Sequence, residues 1–272
     1  MKVFRPIITL GFAVTFVPFT ASAFVTTFTD SVFAPGGDIG AQIAGKEGWG
    51  MTGDIYYNPT DSRGLSYSNV LSEDIAAEIG GYYDRPGSGS TISLYHAAPG
   101  ELQYLSFTVD FGMQKSVYPL AGKRDGFGFS FHDDNDANLL TISLVPAVST
   151  LNNSFQVCYT VGAEPMAQAK DANGDNMFVY YSGLYQLKLD FTPNGANPLF
   201  SGTVTGSNTQ TFTGTATGLG SKHLLNFGAE WNVTDVGNNG MIFDNLSVVP
   251  EPSSALLFGM AGLGLAMRRR RA

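Results

Sequence analysis

Hydrophobic and polar residues alternate along most of this chain, with the two-residue period of a β-strand that buries one face. In residues 105–111 every odd position is apolar and every even position is polar or charged. The same period recurs at 91–95, 127–131, 140–144, 185–191 and 225–231. Clusters of Gly, Asn, Asp and Pro separate these segments, as is typical of turns. The pattern predicts a helix only over 72–79, where Glu73 and Asp74 would lie in the first turn.

About a dozen such strands, without alternating helices, predict an all-β fold. We expect an antiparallel sandwich of two β-sheets that spans residues 24–248. Over residues 203–217 every odd position is Thr or Ser, whereas Val204, Phe212 and Ala216 lie at even positions. This pattern predicts a solvent-facing hairpin at a sheet edge, with adhesion or glycan contact as the alternative role.

The N-terminal residues have the order of a secretory signal peptide. Lys2 and Arg5 precede an apolar stretch over residues 7–19, and Ala21 and Ala23 supply the small residues of a cleavage site. We therefore predict that residues 1–23 are a signal peptide and that signal peptidase cleaves after Ala23.

The C-terminal residues 249–272 predict a second targeting segment. It begins with Val249, Pro250, Glu251 and Pro252, continues as an apolar run, and ends in Arg268, Arg269, Arg270 and Arg271. An apolar helix over 253–267 would rise about 22 Å, less than the roughly 30 Å of a bilayer core. The arginines would stay on the cytoplasmic side. This arrangement favours transient anchoring in the inner membrane.

This order of short motif, apolar segment and arginine block resembles the PEP-CTERM sorting signal of bacterial exosortase substrates. The resemblance implies processing by an exosortase in a Gram-negative envelope rich in exopolysaccharide. It places the product in the periplasm, on the outer surface or in the extracellular matrix. An ordinary short C-terminal anchor is the alternative interpretation.

The charge of the exported part excludes one class of partner. The whole chain has 15 basic and 23 acidic residues. Without the residues of the two targeting segments these become 9 and 22, a net charge near −13. Such a surface repels phosphate backbones, so we expect no nucleic-acid binding. The single cysteine, Cys158, excludes an intrachain disulfide; it shares parity with Gln156 and Thr160, and we expect an unreactive thiol facing away from the main core.

Three short segments resemble concanavalin A-like lectin/laminin-G jelly rolls: Gly48-Trp49 with the preceding Gly40 and Gln42, residues 125–129, and residues 241–248. The resemblance implies a concanavalin-like jelly roll. In legume-type lectins a comparable Asp-Gly-aromatic segment helps to hold the sugar, which implies ligand contacts for Asp125 and Gly126. Trp49 lies between two glycines and is the tryptophan we predict to be available to a ligand, whereas Trp231 lies on an apolar parity.

Oxygen-bearing side chains cluster in the loop after the predicted strand 127–131. Carboxylate and amide oxygens are the ligands that Ca²⁺ prefers, so this loop predicts a calcium site formed by Asp133, Asp134, Asp136 and Asn138. Residues 171–176 begin like an EF-hand loop, but Asn176 and Ser182 replace its glycine and glutamate. Polar turn chemistry explains both clusters as well. Asp244 shares the parity of apolar residues, and a buried carboxylate needs hydrogen bonds or a cation. The alternatives are a metal ligand, a structural residue capped by hydrogen bonds, and a bulge that turns Asp244 to solvent.

Catalytic signatures are weak. A retaining β-glucanase needs two carboxylates about 5–5.5 Å apart, but Glu101, Glu164 and Glu230 each stand alone in the sequence. No Ser-His-Asp or HExxH pattern is present. We therefore predict a non-catalytic carbohydrate-binding or exopolysaccharide-associated module. The alternatives are a β-glucanase-like hydrolase and a structural, self-associating surface protein.

Overall fold

A computed structural model describes residues 24–26, 47–52, 77–80, 88–113, 124–147, 154–181, 183–220, 222–234 and 239–250. Sheet A contains β1 (Phe24–Thr26), β3 (Ala77–Gly80), β5 (Leu105–Met113), β11 (Leu184–Thr192), β12 (Leu199–Thr205), β13 (Thr209–Thr215) and β15 (Gly240–Pro250). Sheet B contains β2 (Trp49–Thr52), β4 (Thr91–Glu101), β6 (Gly126–Asp133), β7 (Asn138–Pro146), β8 (Ser154–Val161), β9 (Ala167–Gln168), β10 (Phe178–Tyr180) and β14 (His223–Asn232). A short 3₁₀ helix, Leu102–Tyr104, connects β4 to β5.

The pairing of the strands joins distant parts of the chain. Sheet A has the order β1-β15-β5-β11-β12-β13, with β3 also on β15, and sheet B the order β10-β8-β7-β6-β14-β4-β2, with β9 on β8. All pairs of these strands are antiparallel. This arrangement confirms the predicted two-sheet sandwich, and it places β6 beside β14 in the centre of sheet B.

The core lies between the two sheets and is rich in phenylalanine. The Phe107 ring of sheet A lies 5.9 Å from Phe129 and 5.0 Å from Phe131 of sheet B, and Phe111 lies 5.9 Å from Phe129. Each such pair adds about 0.5–1.5 kcal/mol beyond the burial of its area. Because alternate residues of β5 and β6 point inward, the polar residues between them must lie on the outer faces.

The helix predicted over 72–79 is wrong where the structure describes it. Residues 77–79 belong to β3, which pairs with β15 so that Ala77 lies beside Phe243 and Ile79 beside Met241. Both side chains are buried. The two acidic residues that suggest a helix act only through local helix propensity, which is a weak preference. Burial of Ala77 and Ile79 against the core stabilises the strand more. Residues 72–76 lie outside the described part of the chain.

A β-bulge in β15 changes which face its residues occupy. Met241 and Phe243 point into the core before the bulge, and Leu246 and Val248 do so after it. The register shifts between Asp244 and Ser247, and Asn245 has a positive φ of 49°. The bulge expected as one explanation of Asp244 is present, and it places Asp244 beside Asp110 on the outer face, although the side chain is buried and does not face solvent.

The Thr-rich hairpin has the predicted arrangement. Strands β12 and β13 pair at the end of sheet A, with Thr203 opposite Thr211 and their hydroxyl oxygens 3.3 Å apart. Odd-numbered threonines of β13 are exposed, while Val204 and Phe212 are buried. The hydroxyls therefore cover the solvent face of this edge.

The single cysteine, Cys158, lies in β8 of sheet B. Cys158 lies beside Ser143 and Gln168 on the outer side of sheet B but is buried, and burial raises the pKa of its thiol to about 11. The thiol therefore stays protonated, in agreement with the unreactive cysteine expected.

Strand β15 continues through Val249 and Pro250, so the first residues of the predicted sorting segment pair with β5. The predicted signal peptide over residues 1–23, residues 251–272 and the apolar helix expected among them lie outside the described residues.

Candidate functional site

The outer face of sheet B carries a trough made of two cavities. The first, of about 500 Å³, is called the His132 cavity and the second, of about 600 Å³, the Thr160 cavity. They meet at the pair of side chains formed by His132 in the first and Glu230 in the second. The trough is the candidate functional site because it unites polar residues of five strands, β4, β6, β7, β8 and β14.

Two glycines of β6 and β14 lie on the outer face of sheet B at the trough, and Gly228 lines the His132 cavity. Gly128 lies beside Glu230, and Gly228 lies between Ser130 and Tyr95. A Cβ on Gly128 would approach the Ile142 carbonyl oxygen at 2.6 Å, and one on Gly228 would meet the Leu94 carbonyl. Side chains therefore do not fit at these positions, because the backbone of the neighbouring strand occupies the space.

His132 and Glu230 form the central charged pair. His132 Nε2 lies 3.7 Å from Glu230 Oε1, and its Nδ1 lies 3.7 Å from Asp136 Oδ1 and 3.3 Å from the Asp136 carbonyl oxygen. The Glu230 side chain is 13 % exposed. Its interaction with the imidazole is the main reason that the pKa of His132 is raised, and partial burial opposes this effect. The pair offers both a donor and an acceptor to a ligand.

The rim of the trough is the loop after β6, where the sequence predicted calcium. Asp133 is 1 % exposed, and its Oδ1 accepts hydrogen bonds from the amides of Asn135 (2.9 Å) and Ala137 (3.0 Å). Its Oδ2 pairs with Lys222 Nζ at 3.1 Å. This carboxylate thus closes a turn and neutralises a lysine.

The other predicted calcium ligands do not converge with it. Asp134 and Asp136 are exposed, and the Asn138 amide bonds to the Gly162 carbonyl and accepts from Thr141. Within the described ranges no group of three or more His, Cys, Asp or Glu side chains is placed to hold a metal ion. These contacts support the turn interpretation of this loop, and the calcium site stays a prediction.

Acid should weaken the contribution of Asp133 to stability. Burial alone would raise its pKa, but hydrogen bonds from the Ala137 and Asn135 amides, together with Lys222, hold the pKa below its ordinary value. Such a group stabilises the fold above its unfolded pKa and loses this effect as the pH falls through the lowered pKa. We expect Asp133→Asn to cost about 1 kcal/mol near neutral pH.

Urea unfolding of wild type and Asp133→Asn at neutral pH and near pH 2 measures this difference. The gap between the two proteins should narrow as the pH falls, because wild-type Asp133 loses its charge as the pH passes through its lowered pKa. A gap that stays constant over the whole range would contradict the role given to the charge.

The two residues implied by the lectin resemblance have different positions. Asp125 is buried beneath one end of the trough, where its Oδ1 accepts hydrogen bonds from the Thr234 amide (2.8 Å) and hydroxyl (2.9 Å). Its backbone amide donates to Asn239 Oδ1 at 2.9 Å. Gly126 lines the Thr160 cavity itself. The structure therefore gives Asp125 a structural role and leaves Gly126 accessible to a ligand.

Trp49 is not available to a ligand, contrary to expectation. It is 2 % exposed and lies between the sheets, with ring centroids 5.5 Å from His96, 6.0 Å from Phe227 and 6.4 Å from Phe243. The glycines beside it do not make it free, because the facing sheet covers it. Trp231 is buried as predicted.

Sequence reasoning did not identify the centre of the trough. Glu230 appeared as an isolated carboxylate, and Tyr95, Ser130 and Asn226 were not singled out as functional residues. A usable signal was present, since all four lie on the polar parity of their strands. The register of β14 with β4 and β6 then places them on one face.

Comparison with known proteins identifies the C-terminal segment. Residues 248–271 match the PEP-CTERM protein-sorting motif. This match confirms the predicted sorting signal and indicates an exported protein of the cell surface that an exosortase processes. No helix in the described ranges has the length and apolar character needed to cross a membrane.

Solved structures of similar shape support the fold. The lectin UEA-II, in complex with galactose, has a TM-score of 0.50 and 9 % identity over 85 % of this chain and 99 % of its own. The PL-14 alginate lyase from Aplysia kurodai has a TM-score of 0.46 and 10 % identity, over 72 % and 90 % respectively. At such identities the likeness concerns the fold alone, and it confirms a lectin-like jelly roll. No curated protein matches the chain in sequence.

Proposed function

We propose that the trough binds a segment of an extracellular polysaccharide without cleaving it. On this proposal the protein is a carbohydrate-binding module of the exopolysaccharide matrix, released from transient inner-membrane anchoring by exosortase and exported by a Gram-negative cell. The observation that carries the proposal is the pair of cavities on sheet B that meet at the His132–Glu230 contact and combine apolar surface with polar side chains.

The size of the trough suits a chain of sugars. Cavities of about 300–1,000 Å³ are the usual range for small-molecule ligands, and here two of about 500 and 600 Å³ adjoin. A single monosaccharide would leave much of this space unused. A segment of several sugar units would occupy both cavities and pass over the His132–Glu230 pair.

The chemistry of the lining also suits a glycan. Sugar hydroxyls both donate and accept hydrogen bonds, and hydroxyl and amide side chains match them. The trough provides these groups from Ser93, Ser130, Thr141, Ser143, Thr160, Asn226 and Asn232. Tyr95 adds an aromatic ring, packed against Gly50, that can contact the apolar face of a sugar.

The His132–Glu230 pair favours a second candidate, a glycan-cleaving enzyme. A histidine and a carboxylate within reach of a ligand can transfer a proton to or from it. A hydrolase of this kind would release new reducing ends from a bound polysaccharide, whereas a binding module would release none. Measuring reducing ends over a long incubation separates the two.

A bulky residue in the trough should abolish glycan binding. Ser93 lies beside Glu230 in the middle of the trough, so the side chain of Ser93→Trp would occupy the space of a sugar. We expect at least about a tenfold weaker affinity for a polysaccharide that the wild type retains in affinity electrophoresis. The matched control is Thr213→Trp, an exposed position of β13 on sheet A.

Thermal unfolding should show that both variants remain folded. If Ser93→Trp binds as well as Thr213→Trp, the glycan site lies elsewhere on the molecule.

A further inference from the structure

We infer, building on the proposed function, that the trough selects polysaccharides whose sugars carry free amino groups. Three carboxylates line it: Glu230 in the centre, and Asp134 and Asp136 at the rim. The trough therefore combines a glycan-sized groove with negative charge.

The basic groups around the trough lower this negative charge but do not cancel it. Arg124 is the only Arg or Lys among the described lining residues, and it is 1 % exposed. Its Nη2 donates to the Ala147 carbonyl at 2.9 Å, and its guanidinium lies 5.7 Å from the Phe155 ring centroid. Lys222, near the rim, is paired with Asp133.

His132 does not change the sign of the trough either. Its two ring nitrogens face Glu230 of β14 and Asp136 of the rim loop. Even when the imidazole is protonated, three carboxylates remain against two cations, the imidazolium and the buried Arg124 guanidinium. The trough is therefore negative on both sides of the histidine titration.

A negative trough discriminates between classes of polysaccharide. An ammonium group that reaches Glu230 forms a charge-assisted hydrogen bond, about twice as strong as a neutral one. A cleft lined by charge of one sign also concentrates ligands of the opposite sign. The carboxylates of a uronic-acid polymer would meet repulsion at the same positions. The order of affinity should thus be amino sugar, then uncharged sugar, then uronate.

Three oligosaccharide probes test this order by calorimetry at mildly acidic pH and low salt. They are glucosamine oligomers, the fully N-acetylated oligomers of the same length and linkage, and alginate oligomers. We expect the glucosamine oligomer to bind at least about tenfold more tightly than its N-acetylated counterpart. Only the free amino group can form a charge-assisted hydrogen bond with a carboxylate of the trough. Alginate oligomers should bind most weakly. Added salt should reduce the differences in affinity among the three oligomers, because it screens the charges.

Glu230→Gln tests whether the charge of Glu230 produces the preference for amino sugars. It should reduce the ratio between the glucosamine and N-acetylated affinities several-fold. Glu164→Gln makes the same change of charge at an exposed position outside the trough and should leave the ratio as in the wild type. The salt dependence of the wild-type ratio is a second measurement that needs no variant.

The outcomes separate this inference from the proposed function. Equal affinity for the glucosamine and N-acetylated oligomers, with both lost in Ser93→Trp, would overturn the amino-group preference while the glycan site stands. Tighter binding of alginate would overturn the preference as well. Failure of the wild type to bind any carbohydrate in a broad glycan array would overturn the proposed function, and the preference with it.

Discussion

Trp49→Ala is expected to lower the free energy of unfolding by about 3–5 kcal/mol, the cost of truncating a buried aromatic residue. Trp49 fills the space between Phe227 of sheet B and Phe243 of sheet A. Its removal leaves a cavity that the two sheets cannot close without moving, since both rings are held in paired strands. We expect the largest stability loss of the variants considered.

Urea unfolding measures the effect, and Trp49→Phe is the matched control. The smaller aromatic side chain keeps part of the packing, so its loss should be well below that of the alanine variant. A Trp49→Ala protein that unfolds like the wild type but no longer binds glycans would show that Trp49 contacts the ligand, as the sequence suggested.

The strands of this fold could be predicted because their signal is local. Phe127, Phe129 and Phe131 alternate with Gly128, Ser130 and His132, and β6 follows this pattern with the phenylalanines inward. Whether a side chain points to the core or away from it depends on the strand's own period. The bulge at Asp244 is the exception, because one extra residue reverses the faces of the residues after it.

The trough could not be predicted because it depends on pairing. His132 and Glu230 belong to strands that are far apart in the chain, and only the β6–β14 register brings them together. Many registers are compatible with alternating patterns on two strands, and the core chooses among them. The burial of Trp49 has the same origin, since its aromatic neighbours come from both sheets.

The two acidic loops have the hydrogen bonds that the turn interpretation of their sequences predicts. Asp133 and Asp171 each accept hydrogen bonds on Oδ1 from the amides two and four residues later. The residue three positions on, Asp136 or Gly174, has a positive φ of 60° or 85°. In both loops Asp-x-Asn is followed by a residue that adopts a positive φ, and this sequence forms a turn. The oxygen atoms cluster because the turn brings these side chains together.

Asp125→Ala should destabilise the protein by about 2–4 kcal/mol, the cost of leaving buried donors without a charged acceptor. The carboxylate accepts from the amide and the hydroxyl of Thr234, which follows β14, while Asn239 holds the Asp125 backbone just before β15. Asp125 thus joins the start of β6 to the segments that flank residues 235–238. Without this carboxylate the start of β6 loses its hydrogen bonds to Thr234, so one end of the trough becomes less firmly held.

Asp125→Asn distinguishes this role from direct sugar binding. The amide oxygen can still accept from Thr234, so the loss of stability should be smaller than for alanine, and glycan affinity should stay within about twofold of the wild type. Glu164→Ala, an exposed carboxylate in a turn, should change stability by less than about 0.5 kcal/mol. If Asp125→Asn keeps the wild-type stability but loses glycan binding, the carboxylate contacts the sugar, and the structural role argued from Thr234 and Asn239 is wrong.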